Sequence, residues 1–287
     1  KVHIREGEEK IHAMMEDYEG VIIWDLPSQI RNRYLKYCFS HSIRCYMSPK
    51  ISDIILLGTD RIHLFDTPLL MCRNQGLSME QRAAKRVLDI IVSGLGIIVS
   101  SPIMLIIAIA VKAYDGGPVF YLQDRLTYQG KEFRIRKFRS MCVDSEKNGA
   151  RLASKHDSRI TPVGHVLRNL HLDELPQLFN VFMGDMSLVG PRPERDVIMQ
   201  EYEQEIPEFH YRLKVKAGLT GYAQVYGKYN TTPYDKLKLD LFYIENYSFL
   251  LDIKLLFMTV KIFFQKEVSE GVDDNQKNAL KDSEDKK

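Results

Sequence analysis

Between Arg168 and Glu194 the chain reads RNLHLDELPQLFNVFMGDMSLVGPRPE. Two adjacent carboxylates, Asp173 and Glu174, open an amphipathic segment in which Leu175, Leu178, Phe179 and Phe182 recur at helical spacing. Acidic residues at a helix start feel the positive end of its dipole, which favours their ionised form. An ionised carboxylate can act as a nucleophile or hold a divalent metal. The flanks are cationic, with Arg168 before the pair and Arg192 and Arg195 after it. Arginines bind phosphate oxygens bidentately and a metal neutralises charge on a transferring group, so these residue types together suit phosphate chemistry. A blander reading stands beside this one: Asp-Glu at a helix start caps the helix and matches its dipole, without chemistry. The company the pair keeps has to decide between them.

That company includes two further cationic stretches. From Phe133 to Arg139 the sequence FRIRKFR alternates apolar with basic, as a strand with one cationic edge would. Lys137 and Arg139 could hold phosphate there; a solvated basic face, or contact with anionic lipid head groups, is the alternative. Gly190-Pro191-Arg192-Pro193-Glu194 is a rigid turn in which two prolines fix the backbone and present one guanidinium. Lys214 to Gly221 is a loop rich in glycine and lysine, which alone is a weak phosphate signal.

The elements that must position these residues begin with the longest apolar stretch, Val87 to Val111, whose only charge is Asp89. At 1.5 Å per residue such a helix is roughly 37 Å long, enough for a bilayer core of about 30 Å. Ser100-Ser101-Pro102 lies near its middle. Proline removes a backbone donor and predicts a kink, and serine hydroxyls can satisfy the carbonyls it frees. Arg82, Lys85 and Arg86 precede the stretch and Lys112 follows it, so charge gives no crossing signal. A re-entrant helix hairpin over about 85–112 is therefore expected, broken at Ser101 and Pro102, with both ends cytoplasmic and Asp89 near the interface.

Downstream, Val119 to Leu122 and Phe133 to Arg139 read as strands joined through Gln123 to Lys131, and Val163 to Leu170 as a short helix bearing Arg168. Ser140 to His156 reads as a polar surface loop. Asp196 to Glu208 and Pro233 to Tyr247 read as helices, and Phe249 to Phe264 as an apolar helix lying at a membrane interface. Upstream, Val21 to Trp24, Ser28 to Ser40, Arg44 to Met47 and the apolar run Ile54 to Leu57 suggest a small parallel α/β unit. Asp25-Leu26-Pro27 follows its first strand where a glycine-rich phosphate loop would stand, so no nucleotide is expected there.

Of 287 residues, 45% are hydrophobic and 27% charged, ordinary for a folded protein. The net charge of +2 gives no argument for a nucleic-acid partner. Cys38, Cys45, Cys72 and Cys142 have neither zinc-site nor disulfide-framework spacing and read as reduced thiols. The chain begins KVHIREGEEK, without an initiator Met or a secretory signal, and reads as part of a longer or processed protein. The expected domains are a partial α/β regulatory unit (1–76), a membrane-anchored catalytic domain (80–266) and a charged, disordered tail (267–287).

Taken together, KRVLDIIVSGLGIIVSSP, KFRSM, DSRITPVGHVLRNLHLDELPQLFNVFMGDMSLVGPRPE and KAGLTGYAQVYG resemble the monotopic bacterial sugar transferases, which are polyprenyl-phosphate phosphoglycosyl transferases. These segments lie within Lys85 to about Phe264. The resemblance implies an α/β protein whose mainly helical catalytic domain carries a re-entrant membrane hairpin and short β-hairpins. The preceding residues look like the tail of the Rossmann-like unit of the larger members. It further implies transfer of a sugar 1-phosphate from a UDP-sugar to undecaprenyl phosphate with release of UMP, a first membrane step of capsule, exopolysaccharide or O-antigen synthesis. The implied site is on the cytoplasmic face of the bacterial inner membrane. Asp173 would attack the β-phosphorus in a ping-pong mechanism, and Mg²⁺ would sit at Asp173 and Glu174. Arg168 and Lys137 match positions near the phosphates, and Arg192, within Pro191-Arg192-Pro193-Glu194, would contact the nucleotide. The larger members imply a homodimer. Asp124-Arg125-Leu126-Thr127-Tyr128 lacks the glycine often found after that arginine in relatives, so Arg125 is not counted among the site residues. Two other classes compete with the enzyme: a membrane-anchored scaffold with a dead site, and a basic lipid-binding module.

Overall fold

In the computed structural model, which describes residues 6–72, 76–143, 157, 159–228 and 231–263, the chain divides into two units, Lys1–Asp53 and Ile54–Lys287. Most of the polar stretch before His156 and the whole of the charged tail lie outside the described residues.

The first unit holds α1 (Glu8–Glu16), β1 (Gly20–Ile23), α2 (Ser28–Ser40) and β2 (Arg44–Met47). β1 and β2 pair in parallel, Gly20 opposite Arg44 and Ile23 opposite Met47, with α2 as the crossover that parallel strands require. Ile11, Met15, Ile23, Tyr34 and Cys38 form its core. Buried Arg31 donates to both oxygens of Asp53. The boundary between the units falls within α3 (Ile51–Leu57), so the run Ile54–Leu57 is helical.

The second unit opens with an antiparallel hairpin absent from the sequence expectations, β3 (Asp60–Leu64) and β4 (Thr67–Met71). Then comes α4 (Met79–Asp115), 37 residues long and long and apolar enough to cross a membrane. A capping box starts it: Ser78 Oγ accepts from the Gln81 amide at 3.2 Å, and the Ser78 amide donates to Gln81 Oε1 at 2.8 Å. Gly116, in the left-handed region at φ 70°, ends it. Pro102 lies inside one uninterrupted helix. The Ile98 carbonyl, which a fifth residue's amide would ordinarily satisfy, accepts from Ser101 Oγ at 2.8 Å, and the Gly96 carbonyl from Ser100 Oγ at 2.6 Å. Ser101 thus supplies the donor that the proline lacks. Met104, Ile107 and Val111 pack with Phe138 and Leu167, while Ile91, Leu95, Ile98, Val99, Leu105 and Ile106 are exposed.

β5 (Phe120–Leu126) and β6 (Glu132–Phe138) form an antiparallel hairpin, Phe120 opposite Phe138 and Leu126 opposite Glu132. Gln123, Asp124 and Arg125 belong to β5 rather than to the connection. α5 (Pro162–Asn169), capped by Thr161, leads to α6 (Gln177–Met183), β7 (Ser187–Val189) and α7 (Asp196–Glu205). A 3₁₀ stretch, Pro207–Lys214, precedes β8 (Gly218–Thr220), which pairs in parallel with β7. α8 (Tyr222–Tyr226), α9 (Pro233–Glu245) and α10 (Phe249–Phe263) complete the unit.

Polar groups lock α4 to these elements. Asp89, expected near the interface, is instead buried and accepts from Ser187 Oγ at 3.0 Å and the Leu188 amide at 2.9 Å. Lys85 pairs with buried Asp252 at 2.6 Å and also donates to the Tyr243 hydroxyl. Arg86 donates to the carbonyls of Val181 and Phe182, the last turn of α6.

Candidate active site

The dyad is not in the first turn of a helix. Asp173 and Glu174 occupy a single 3₁₀ turn, Leu172–Glu174, separated from α6 by Leu175 and Pro176. His171, before it, adopts the left-handed conformation at φ 53°, uncommon for a residue with a side chain. This bend aims the two carboxylates differently. Asp173 is largely buried, and burial raises its pKa above the ordinary 3.8 despite the opposing pull of Lys137 and Arg168. Among the described residues, none donates a hydrogen bond to its carboxylate. Burial also opposes ionisation of Glu174, but Arg192 and Lys137 outweigh it and hold its carboxyl well below the usual range. Both cations reach the same oxygen: Lys137 Nζ at 2.6 Å and Arg192 Nη2 at 2.8 Å from Glu174 Oε1. The helix dipole, invoked from sequence to keep both groups ionised, is not what sets either pKa. Desolvation and two specific cations split the pair into a buried carboxylate that has no hydrogen-bond donor among the described residues and a clamped one.

Each member of the clamp is held by its own element. Lys137 projects from β6, whose edge is fixed to α6 through buried Asn180. Asn180 Oδ1 accepts from the Arg136 amide at 3.0 Å and its Nδ2 donates to the Arg134 carbonyl at 2.8 Å. The sequence signal was present: Asn180 interrupts the apolar run LFNVF, where a buried polar side chain needs partners.

Arg192 stands on the proline-flanked turn. The Pro191 carbonyl accepts from the Gly218 amide at 2.8 Å, and the Arg192 carbonyl from Arg212 Nη2 at 3.0 Å. Arg125 Nη1 donates to the Pro193 carbonyl at 3.1 Å. Glu194 lies 3.7 Å from both Arg125 and Arg212, and Arg212 pairs with buried Asp240 at 2.8 Å. Burial raises the Asp240 pKa to about 6 even with Arg212 beside it. Arg125 thus supports the turn that carries Arg192, a role independent of the missing glycine after it. A β-carbon on Gly190 would come within 2.3 Å of the Lys216 carbonyl, so the approach of this turn to the strand beyond it demands glycine. Arg212 and Asp240 were not singled out by sequence, although Asp240 breaks the apolar face Leu237, Leu241, Ile244 of α9.

Arg168, in the last turn of α5, donates from Nε to Ser140 Oγ at 2.8 Å. Its pKa is lowered by burial, with Asp173 opposing. A β-carbon on Gly164 would sit 1.9 Å from the Ser140 carbonyl, so α5 reaches Ser140 only because residue 164 has no side chain.

Arg139 is placed apart from the clamp. Its buried guanidinium forks onto Asp115 at the end of α4, with Nη1 2.6 Å from Oδ2 and Nη2 on Oδ1. Ser101 and Pro102 lie within α4. Arg139→Lys keeps the charge but loses the fork, and is expected to cost about 1–2 kcal/mol of stability with the donor Michaelis constant unchanged. Thermal unfolding together with donor kinetics checks this; an unchanged melting point with weakened donor use would return Arg139 to the phosphate site.

Residues 80–266 match the bacterial sugar transferase family. A UDP-N-acetylgalactosamine-undecaprenyl-phosphate N-acetylgalactosaminephosphotransferase of Aeromonas hydrophila is 44% identical over 232 residues, 80% of this chain and 54% of the relative. UDP-glucose:undecaprenyl-phosphate glucose-1-phosphate transferases are also similar. That of Klebsiella pneumoniae is 38% identical (88% of this chain, 54% of the relative), and that of Escherichia coli K12 is 40% identical (71% and 43%). The chain spans about half the length of the curated relatives it matches. The matched region runs from the first turn of α4 past the end of α10 and so contains the dyad, its clamp and every element that holds them: the chain belongs to the bacterial sugar transferase family.

Proposed function

We propose that this chain transfers a sugar 1-phosphate from a UDP-sugar to undecaprenyl phosphate at the cytoplasmic face of the bacterial inner membrane. The observation that carries the reading is the division of labour in the dyad. Asp173 offers a carboxylate without hydrogen-bond donors among the described residues, beside a carboxylate that already orders two cations. In the first half-reaction an Asp173 oxygen bonds to the β-phosphorus, the bond from that phosphorus to the bridging oxygen breaks, and UMP leaves with the electron pair. In the second, a phosphate oxygen of undecaprenyl phosphate attacks the same phosphorus and the Asp173 carboxylate departs. Lys137 and Arg192 carry the positive charge that the diphosphate requires, and Glu174 keeps them side by side. The names of the relatives, which specify UDP-sugar donors and undecaprenyl phosphate, support this choice of substrates.

The donor set fits Mg²⁺, which binds through one or two carboxylates and completes its shell with phosphate oxygens and water. Asp173 and the Glu174 oxygen facing away from Lys137 and Arg192 would hold it. It would supply neutralisation of charge on the diphosphate. Among the described residues no cluster of three or more His, Cys, Asp or Glu offers an all-protein cage, consistent with a cation shared with the substrate.

A re-entrant or in-plane α4 supports the meeting of a soluble donor with a lipid acceptor. Its first half is tied to β7, α6 and α10, and its second half packs on Phe138 and Leu167, so both halves lie against one body. Val166 on α5, Leu170 just after it, Phe179, Phe182 and Met183 on α6, and Leu250 and Phe257 on α10 are also exposed and add to the apolar surface. With the native cysteines removed, single cysteines placed before Arg82 and after Lys112 are expected to label from the same face of sealed vesicles. Labels on opposite faces would mean that α4 spans.

The reaction itself is tested with purified protein, Mg²⁺, undecaprenyl phosphate and a panel of UDP-sugars. UMP release with at least one sugar is expected. Lipid binding with no UMP release from any sugar would favour the lipid-binding module.

A further inference from the structure

Beside the clamp is a shallow recess lined by Arg125, Ile135, Lys137, Gln177, Arg192 and Pro193. Three of its walls are cationic. Lys137 and Arg192 share one oxygen of Glu174, so two positive charges face the recess against one negative. Gln177, the first residue of α6, is 3% exposed, and its Nε2 has no hydrogen-bond partner among the described residues. A buried amide donor is ordinarily satisfied, because losing its water without a replacement is costly. Neighbouring buried amides show the ordinary outcome: Asn180, three residues on, uses both ends of its side chain.

We infer that Gln177 is a substrate-binding residue whose Nε2 donates to a phosphate oxygen of the nucleotide-sugar donor when the diphosphate enters this recess. The inference rests on the proposed reaction and deepens it. The charge of the walls fixes the ligand's sign, and an acceptor is the one thing that Gln177 lacks. A neutral donor adds a directional contact without adding a further positive charge, so the oxygen is recognised while the leaving nucleotide is not held by further Coulomb attraction. Pro176 precedes Gln177 and α6 begins at it, which fixes its backbone beside the recess.

The test compares the wild-type protein with Gln177→Met, which keeps the volume and removes the amide, and Gln177→Glu, which keeps the shape and places a carboxylate in the anion's seat. Donor kcat/KM and thermal melting are measured for each. Gln177→Met is expected to melt at or above the wild-type temperature, because an unsatisfied buried donor has been removed, while donor kcat/KM falls about tenfold. Gln177→Glu is expected to fall by about 10²-fold, since a carboxylate repels phosphate. Wild-type kcat/KM in Gln177→Met would overturn the assignment, and so would a lowered melting point in both variants, which is what a purely structural amide predicts. An active wild type matched by Gln177→Met removes the Gln177 role alone. A wild type that releases no UMP from any UDP-sugar removes the underlying reaction, and this role with it.

Discussion

Replacing Asp173 by Asn is expected to lower UMP release by roughly 10³-fold or more, because the amide is isosteric but has no anionic oxygen to bond to phosphorus. The same substitution should leave the protein as stable as before, or more so, at neutral pH. Burial raises the Asp173 pKa above 3.8 even though Lys137 and Arg168 pull it down, so ionising this group opposes folding. At pH values below 3.8 the carboxyl is protonated in both folded and unfolded chains and the penalty is absent. As pH rises through the raised folded value the penalty appears, and wild type loses ground to Asp173→Asn. A residue that costs stability and gives no packing advantage over its amide is one the site keeps for its charge. Melting curves from pH 3 to 8, beside turnover, check both halves; a less stable Asn variant with retained turnover would make Asp173 a structural carboxylate.

Glu174→Gln should show the opposite pH behaviour. Arg192 and Lys137 together hold Glu174 below its ordinary value of 4.5 against the effect of burial. Its stabilisation is therefore present above 4.5 and lost as pH falls toward the depressed folded value. At pH 7 the Gln variant is expected to lose about 2 kcal/mol, less than a fully buried broken pair costs because Arg192 is half exposed. The gap should shrink below pH 4.5. Activity should fall roughly 10²-fold, since two like charges no longer share a counterion and drift apart. Neighbouring carboxylates with mirror-image pH profiles would be a direct signature of the divided dyad. Parallel profiles would show that the two groups share one environment.

How far the sequence foretold this site can be followed residue by residue. Asp173, Glu174, Lys137, Arg168 and Arg192 were singled out by type and by their position in motif-dense segments, and the structure gathers them at or beside one 3₁₀ turn. Which cation meets which oxygen was not legible. Lys137 lies 37 positions before Glu174, and Arg192 lies 18 positions after it, and both contacts depend on how β6 and the proline turn fold over α6. The same uncertainty affected Arg139. It alternates with Lys137 on paper, yet pairs with Asp115 because β6 runs back toward the end of α4. The dipole argument failed for a local reason: Pro176 and the left-handed His171 detach the dyad from the helix that was expected to contain it.

Regular elements were easier to read than sites. α2 and β2 have their expected bounds. α9 and α10 begin at Pro233 and Phe249 as expected, and α5 begins at Pro162, one residue before the expected Val163. The hairpin β3–β4 was missed because Ile62, Leu64, Leu69 and Leu70 are scattered among polar residues and all are exposed, so no buried face imposed a period. At α4 the composition predicted a membrane segment and a break, and the structure supplies a continuous helix whose Ser101 compensates Pro102. Hydroxyl donation is a side-chain geometry that composition alone leaves undetermined.

The most direct test of the central claim is single-turnover UMP release by the intact chain in the absence of undecaprenyl phosphate, with mass analysis of the protein. The covalent account predicts about one equivalent of UMP per active site. It also predicts a sugar-phosphate adduct on the peptide containing Asp173, discharged when undecaprenyl phosphate is added. UMP release that begins only when the lipid acceptor is present, with no adduct on that peptide, would contradict it and leave Asp173 as a metal-holding or electrostatic group in a direct transfer.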